Sequence, residues 1–148
     1  MLRRLRPPVL DTHGLREAVG FGPLRDMLED AGIAFVANFY GRIEALDDDA
    51  QTAIYRICQA AILDAAHRES VREVHLKLSV LPGRAHCFQI ELLVDVHASP
   101  YLEFPLEVHP LPAISDRVLA LDGQYGTEAL SPGLRHQVQF EHAGQGVW

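Results

Sequence analysis

Residues 50–68, AQTAIYRICQAAILDAAHR, decide how this 148-residue chain is read. Ile54, Ile57, Cys58, Ala61 and Ala65 recur at intervals of three and four, which gathers them into one stripe along an α-helix. Asp47, Asp48 and Asp49 stand just before the run and suit the positive end of a helix dipole. No Gly or Pro interrupts it. The spacing predicts one long helix with a single buried face. Ala60, Asp64 and His67 fall in a narrow sector beside the apolar stripe. Asp64 is therefore a carboxylate at the margin of a core, although the residue pattern alone reads it as a solvated side chain of an amphipathic helix.

Upstream, residues 15–31 predict a helix whose core face is Leu15, Val19, Leu24, Met27 and Leu28. Gly20, Gly22 and Pro23 kink it or split it in two, and Gly32 stops it. Residues 33–40, IAFVANFY, read as a strand whose partly continuous apolar character predicts cover on both faces. Downstream, residues 74–81, VHLKLSVL, alternate strictly, with Val74, Leu76, Leu78 and Val80 facing one way. After a turn at Pro82-Gly83-Arg84, residues 87–96, CFQIELLVDV, form the second arm of an antiparallel hairpin, with Phe88, Ile90 and Leu92 on one face. Residues 97–112 are Pro-rich and irregular. Residues 113–121 predict a short helix with Ile114, Val118 and Leu121 inward, ended by Asp122-Gly123. Residues 124–128 and 134–141 are two final strands around a loop at 129–133, and 142–148 read as a frayed tail. This order predicts an α/β two-layer sandwich: a mixed, mostly antiparallel sheet covered on one face by about three helices.

The chain has the length of one domain with a real core, and 48% of its residues are apolar. No apolar run is long enough to span a membrane. The net charge of −7 argues against a nucleic-acid surface, and the cluster Arg3, Arg4 and Arg6 is too short to overturn that. Cys58 and Cys87 lack metal-ligand spacing and read as free thiols of a reducing cytoplasm. The eight histidines are scattered, with no pair at zinc-site spacing. No Ser/His/Asp or Cys/His constellation is suggested: Ser115 reads as a helix-start residue and Cys58 as a core thiol.

Residues 54–68 resemble the helix that carries the N-box of histidine-kinase ATP-binding domains, in the group of nitrate- and hexose-phosphate-type sensors that read L-[YF]-R-[IV]-x-Q-E-[AG]-L-x-N-x-x-K-H. The match runs through Tyr55, Arg56, Ile57, Cys58, Gln59 and Ala61. Residues 5–19, LRPPVLDTHGLREAV, resemble the junction LRP-x-x-L-[DE]-x-x-G-L-x-x-A-[LIV] of the same group. The resemblance implies a Bergerat-like fold, with residues 1–12 as an extended linker from a preceding dimerisation helix and 13–148 as an ATP-binding-like domain.

Carried over residue by residue, the family's catalytic Glu is Ala60 here, which can neither take nor orient a proton. The Asn that holds Mg²⁺ is Asp64, a weak metal ligand at most. The Lys and His that follow are His67 and Arg68. In the box D-x-G-x-G, Asp95 takes the place of the adenine-recognising Asp, while His97 and Ser99 replace the glycines. In the last box, G-[LIF]-x-G-[ML]-x-x-R, the glycines are Pro110 and Ala113. The downstream half survives in Arg117, Val118, Ala120, Leu121 and Gly123. Pro110 and Pro112 remove N–H donors, and Asp116 places a negative charge in the first turn of the helix that should meet the phosphates. Each hydrogen bond lost to a charged phosphate is worth about 1.5–3 kcal/mol. Losing several would move a micromolar site to millimolar or beyond. His13 lies past the linker, outside the context of a phosphoacceptor.

The resemblance therefore implies a two-component signalling domain with eroded chemistry. In the first reading it is a structural or docking module with weak or no ATP binding and no cofactor. In the second it is a divergent histidine kinase domain using Mg-ATP through Asp64 and Asp95. In the third it is a module that reuses the vacated cleft for another small molecule. The implied partners are dimerisation helices or a response regulator, with a homodimer formed through a longer parent chain. Nucleic acid and direct membrane contact are not implied. The implied location is cytoplasmic, including as the cytoplasmic part of a membrane-bound sensor.

Overall fold

A computed structural model describes residues 6–101 and 106–143. Five strands form one sheet in the order β1-β2-β3-β5-β4: β1 (Ala34–Gly41), β2 (Val71–Pro82), β3 (Cys87–Ala98), β4 (Gln124–Leu130) and β5 (Gly133–Ala143). β1 runs parallel to β2, and every other neighbouring pair is antiparallel. The helices α2 (Leu15–Gly20), α3 (Pro23–Asp30), α4 (Asp48–Ala66) and α5 (Pro112–Ala120) cover one face, with a short α1 (Pro8–Thr12) beside α2. This is the expected two-layer arrangement. The cover is larger than three helices because Gly22-Pro23 divides the first one. No helix among the described residues is long and apolar enough to cross a membrane.

α4 lies at the centre of the helical layer. Ile54, Ile57, Cys58, Ala61 and Ala65 are all buried, and they meet Val74, Leu76, Leu78, Val80, Ile90, Leu92 and Val94 in one continuous core. Burial leaves the Cys58 thiol with a pKa of about 12, so it is an inert apolar side chain. The N-cap of α4 is Asp47. One carboxylate oxygen accepts the Ala50 N–H at 2.8 Å and the other accepts from His142 Nε2 at 2.9 Å. Burial alone would raise the Asp47 carboxyl. The hydrogen bonds from Ala50, His142 and Asp49 outweigh it and hold the pKa below the ordinary value.

Four expectations need correction. Pro8 and Val9 do not extend a linker: Pro8 opens α1, where its missing N–H costs nothing, and Leu10 is buried in the core. β1 is an edge strand covered on one face only, so Val36 and Tyr40 are 39% and 49% exposed. His142 is not frayed but belongs to β5 and holds Asp47; residues 144–148, with Arg3 and Arg4, lie outside the described residues. Asp116 falls beyond the first turn of α5, because the helix already begins at Pro112.

α5 ends in a Schellman turn, with Gly123 N–H bonded to Val118 O and Asp122 N–H to Leu119 O. The left-handed residue of that turn is Asp122, at φ +57°, rather than the glycine. Gly123 serves space instead, since a Cβ there would stand 2.7 Å from Gln139 O and 2.8 Å from Phe140 Cβ. The two positions should respond oppositely. Asp122→Gly relieves the left-handed strain and should raise the free energy of urea unfolding by about 1 kcal/mol. Gly123→Ala forces α5 away from β5 and should lower it by about 1–3 kcal/mol.

Candidate functional site

The C-terminal end of α4 brings Asp64 close enough to act electrostatically on Tyr125 of β4 and His136 of β5. Arg68, just past the helix, donates through Nε to Asp64 Oδ2 at 3.0 Å, an i,i+4 ion pair in which both side chains are mostly buried. A second guanidinium nitrogen of Arg68 donates to Glu107 O at 3.0 Å. His67 is the C-cap of α4, and its Nδ1 lies 2.7 Å from Leu63 O. Ala60 is half-buried against the core. Asp64, His67 and Arg68 are therefore brought together, but through helix capping and a local ion pair.

Beneath them, β5 places His136 at a core position between Leu134 and Val138. His136 is only 2% exposed. Its Nδ1 is 2.8 Å from the Tyr125 hydroxyl on β4, and that hydroxyl accepts the Leu111 N–H at 3.1 Å. His136 Nε2 has no hydrogen-bond partner among the described residues. Burial pushes the imidazole down to a pKa of about 4. Asp64 pulls it upward, while Arg68 and His109 push it further down. Burial likewise raises the Tyr125 hydroxyl, against the lowering effect of the Leu111 N–H, and Asp64 adds to the rise.

The segment from Leu106 to Leu111 lies across this ground. Leu106, Val108 and Leu111 pack onto the core, and the strap is pinned at one end by Arg68 and at the other by Tyr125. Pro110 is exposed within it. Ala113, in the first turn of α5, lines a cleft of about 330 Å³ with Ala53, Asp116, Arg117, Ala120 and Leu121. That cleft runs between α4 and α5.

Asp95 is not brought to this place. Its neighbours Val94 and Val96 point into the core, so Asp95 points to the opposite face of the sheet. There Arg135 grips it with two hydrogen bonds, at 2.6 Å from Nε and 2.9 Å from the second nitrogen. His97 shares that outer face, with its ring 4.9 Å from the ring of His75. Ser99 donates its N–H to Ser70 O and accepts the Tyr101 N–H. Neither His97 nor Ser99 is among the non-glycine residues with positive φ, so no left-handed strain is stored at these two positions. Among the described residues no group of three or more His, Cys, Asp and Glu side chains is placed to hold a metal ion.

Sequence reasoning missed Tyr125 and His136. The signal was present for His136: it is the polar residue in the inward-facing series Leu134, His136, Val138, Phe140.

No family model and no curated protein matches the sequence. Solved structures do. The chain superposes on the Erythrobacter litoralis EL346 blue-light activated histidine kinase with a TM-score of 0.54 at 10% identity, over 79% of this chain and 38% of that one. The histidine kinase domain of the same protein gives a TM-score of 0.50 at 14% identity, over 79% and 60% of the two chains. This chain thus spans less than two thirds of either. At such identities the likeness is one of fold, a mostly antiparallel open sheet with helices on one face, and that fold resembles histidine kinase ATP-binding domains.

The buried histidine makes stability depend on pH. Above pH 6.5 His136 is neutral in both the folded and unfolded chain. Below that value the unfolded chain takes up a proton that the folded chain refuses until about pH 4, so stability falls across this window. Between pH 7 and pH 5 the contribution amounts to about 2 kcal/mol. Urea unfolding at the two pH values should show this loss, and His136→Gln should flatten it.

Proposed function

We propose that this chain is a two-component signalling domain built on the histidine-kinase ATP-binding fold. In this reading it has given up nucleotide chemistry and acts as a structural or docking module toward dimerisation helices or a response regulator. The observation that carries the reading is the strap. The ground beside Asp64 and Arg68 is taken by Leu106, Val108 and Leu111, pinned through Glu107 O and the Leu111 N–H.

The residues present do not suit Mg-ATP. Asp64, the resemblance-implied metal ligand, is engaged by Arg68, and a carboxylate adds negative charge where triphosphate would lie. Asp95, the implied adenine ligand, is held by Arg135 on the other face of the sheet, so the two carboxylates do not serve one ligand. Ala60 offers no base. Pro112 contributes no N–H at the start of α5. The location proposed for this chain is the cytoplasm.

Calorimetric titration with Mg-ATP tests this directly. No saturable binding is expected at micromolar nucleotide, and Asp64→Asn combined with Ala60→Glu should not restore it, because the strap remains. Micromolar binding by the unaltered chain, abolished by Asp64→Ala, would overturn the proposal in favour of an active kinase domain.

A further inference from the structure

The outer edge of β1 stands apart from the rest of the surface. Residues 32–41, GIAFVANFYG, contain no charged residue and no proline. β1 has a strand neighbour on one side only, which leaves a row of backbone N–H and C=O groups facing outward along eight residues. Edges of this kind are normally blunted by charge, proline, a bulge or cover. The opposite edge, β4, is shorter, carries Glu128, and is weakened by Gly126 in its interior. Ala34, Val36, Asn38 and Tyr40 are exposed on β1.

We propose that β1 is a self-association edge, at which two copies of this chain pair antiparallel about a two-fold axis and join their sheets into one. The proposal is independent of the signalling role and of any contact made through a longer parent chain.

A second copy is the occupant whose complementarity can be checked residue by residue. Residues directly opposite in an antiparallel pair share a face. With Ala37 opposite its own mate, Phe35 meets Phe39 on both sides of the axis. With Asn38 opposite its mate, Val36 meets Tyr40 twice. Both registers therefore oppose aromatic, apolar or amide side chains and bring no like charges together.

The flanks are compatible as well. Arg25 sits 5.8 Å from the Phe35 ring and is paired with Glu29, and Arg16 sits 5.5 Å from the Phe39 ring and is paired with Glu44. When Phe35 of one copy meets Phe39 of the other, two neutral ion pairs approach, not two bare cations. Pairing of one strand edge buries little area, which places the dimer in the transient class below about 1,200 Å² and makes it concentration-dependent.

Sedimentation velocity of the full chain, from micromolar to submillimolar concentration, tests the proposal. The expected result is a reversible monomer–dimer equilibrium. Asn38→Glu should abolish the concentration-dependent shift, because the new carboxylates stand directly opposite each other in one register and diagonally across the axis in the other. In the monomer the same carboxylate lies beside Lys77, its cross-strand neighbour, so circular dichroism and the urea midpoint should be unchanged. Should Asn38→Glu fail to fold, Val36→Glu on the same exposed edge gives the reading. Gly126→Glu, on β4 with open space around it, should leave the association intact. A monomer at every concentration overturns the proposal. So does a dimer indifferent to both β1 variants, or one lost through Gly126→Glu.

Discussion

The burial of the α4 stripe against β2 and β3 is the contact on which the remaining elements depend. α4 touches α2, α3 and α5 as well as the two central strands, so the helical layer is organised around its length. Its apolar residues are aligned by helical period, and the strands answer with strict alternation. Neither element could hide its apolar face without the other. The Asp47 cap fixes where the stripe begins, and the His142 bond ties that beginning to the last strand.

That framework was legible because periodicity is local. Ile54 through Ala65 announced one helix face, and Val74 through Val80 with Phe88 through Leu92 announced the hairpin. What remained hidden depended on partners far away in the chain. β1 read as a strand buried on both faces because its apolar run is partly continuous. In the fold, its aromatic rings are instead flanked by Arg16, Arg25 and Lys77 from three other segments. The side of Asp95 was in fact contained in the alternation of residues 87–96, since Val94 and Val96 continue the inward series of Phe88, Ile90 and Leu92. The resemblance implies a role for Asp95, and the strand places its carboxylate on the outer face beside Arg135. His136 was visible as an exception to an apolar series, but its meaning required Tyr125, Asp64 and the strap, none of which is near it in sequence.

The ground beside α4 is filled by the protein's own groups. Ion pairs, capping and apolar packing occupy the polar groups there. Arg68 is spent on Asp64 and a backbone carbonyl, and Tyr125 on Leu111 and His136. A buried nitrogen without a partner, as His136 Nε2 is among the described residues, costs about 1–3 kcal/mol. The fold tolerates it because the surrounding β4–β5 pairing and core hold the ring in place.

The strand order has a consequence for how the molecule assembles. β5 is last in sequence among the described strands yet lies inside the sheet, between β3 and β4. Until residues 133–143 have emerged from the ribosome, β3 has a bare edge, β4 has no strand to join, and the carboxylate of Asp47 lacks its imidazole. Folding is therefore a closing event. The sheet is sealed by the last of its described strands, whose pairing with β3 is long-range in sequence. During synthesis, the vulnerable surface of this protein is the flank of β3, which in the finished molecule is no surface at all.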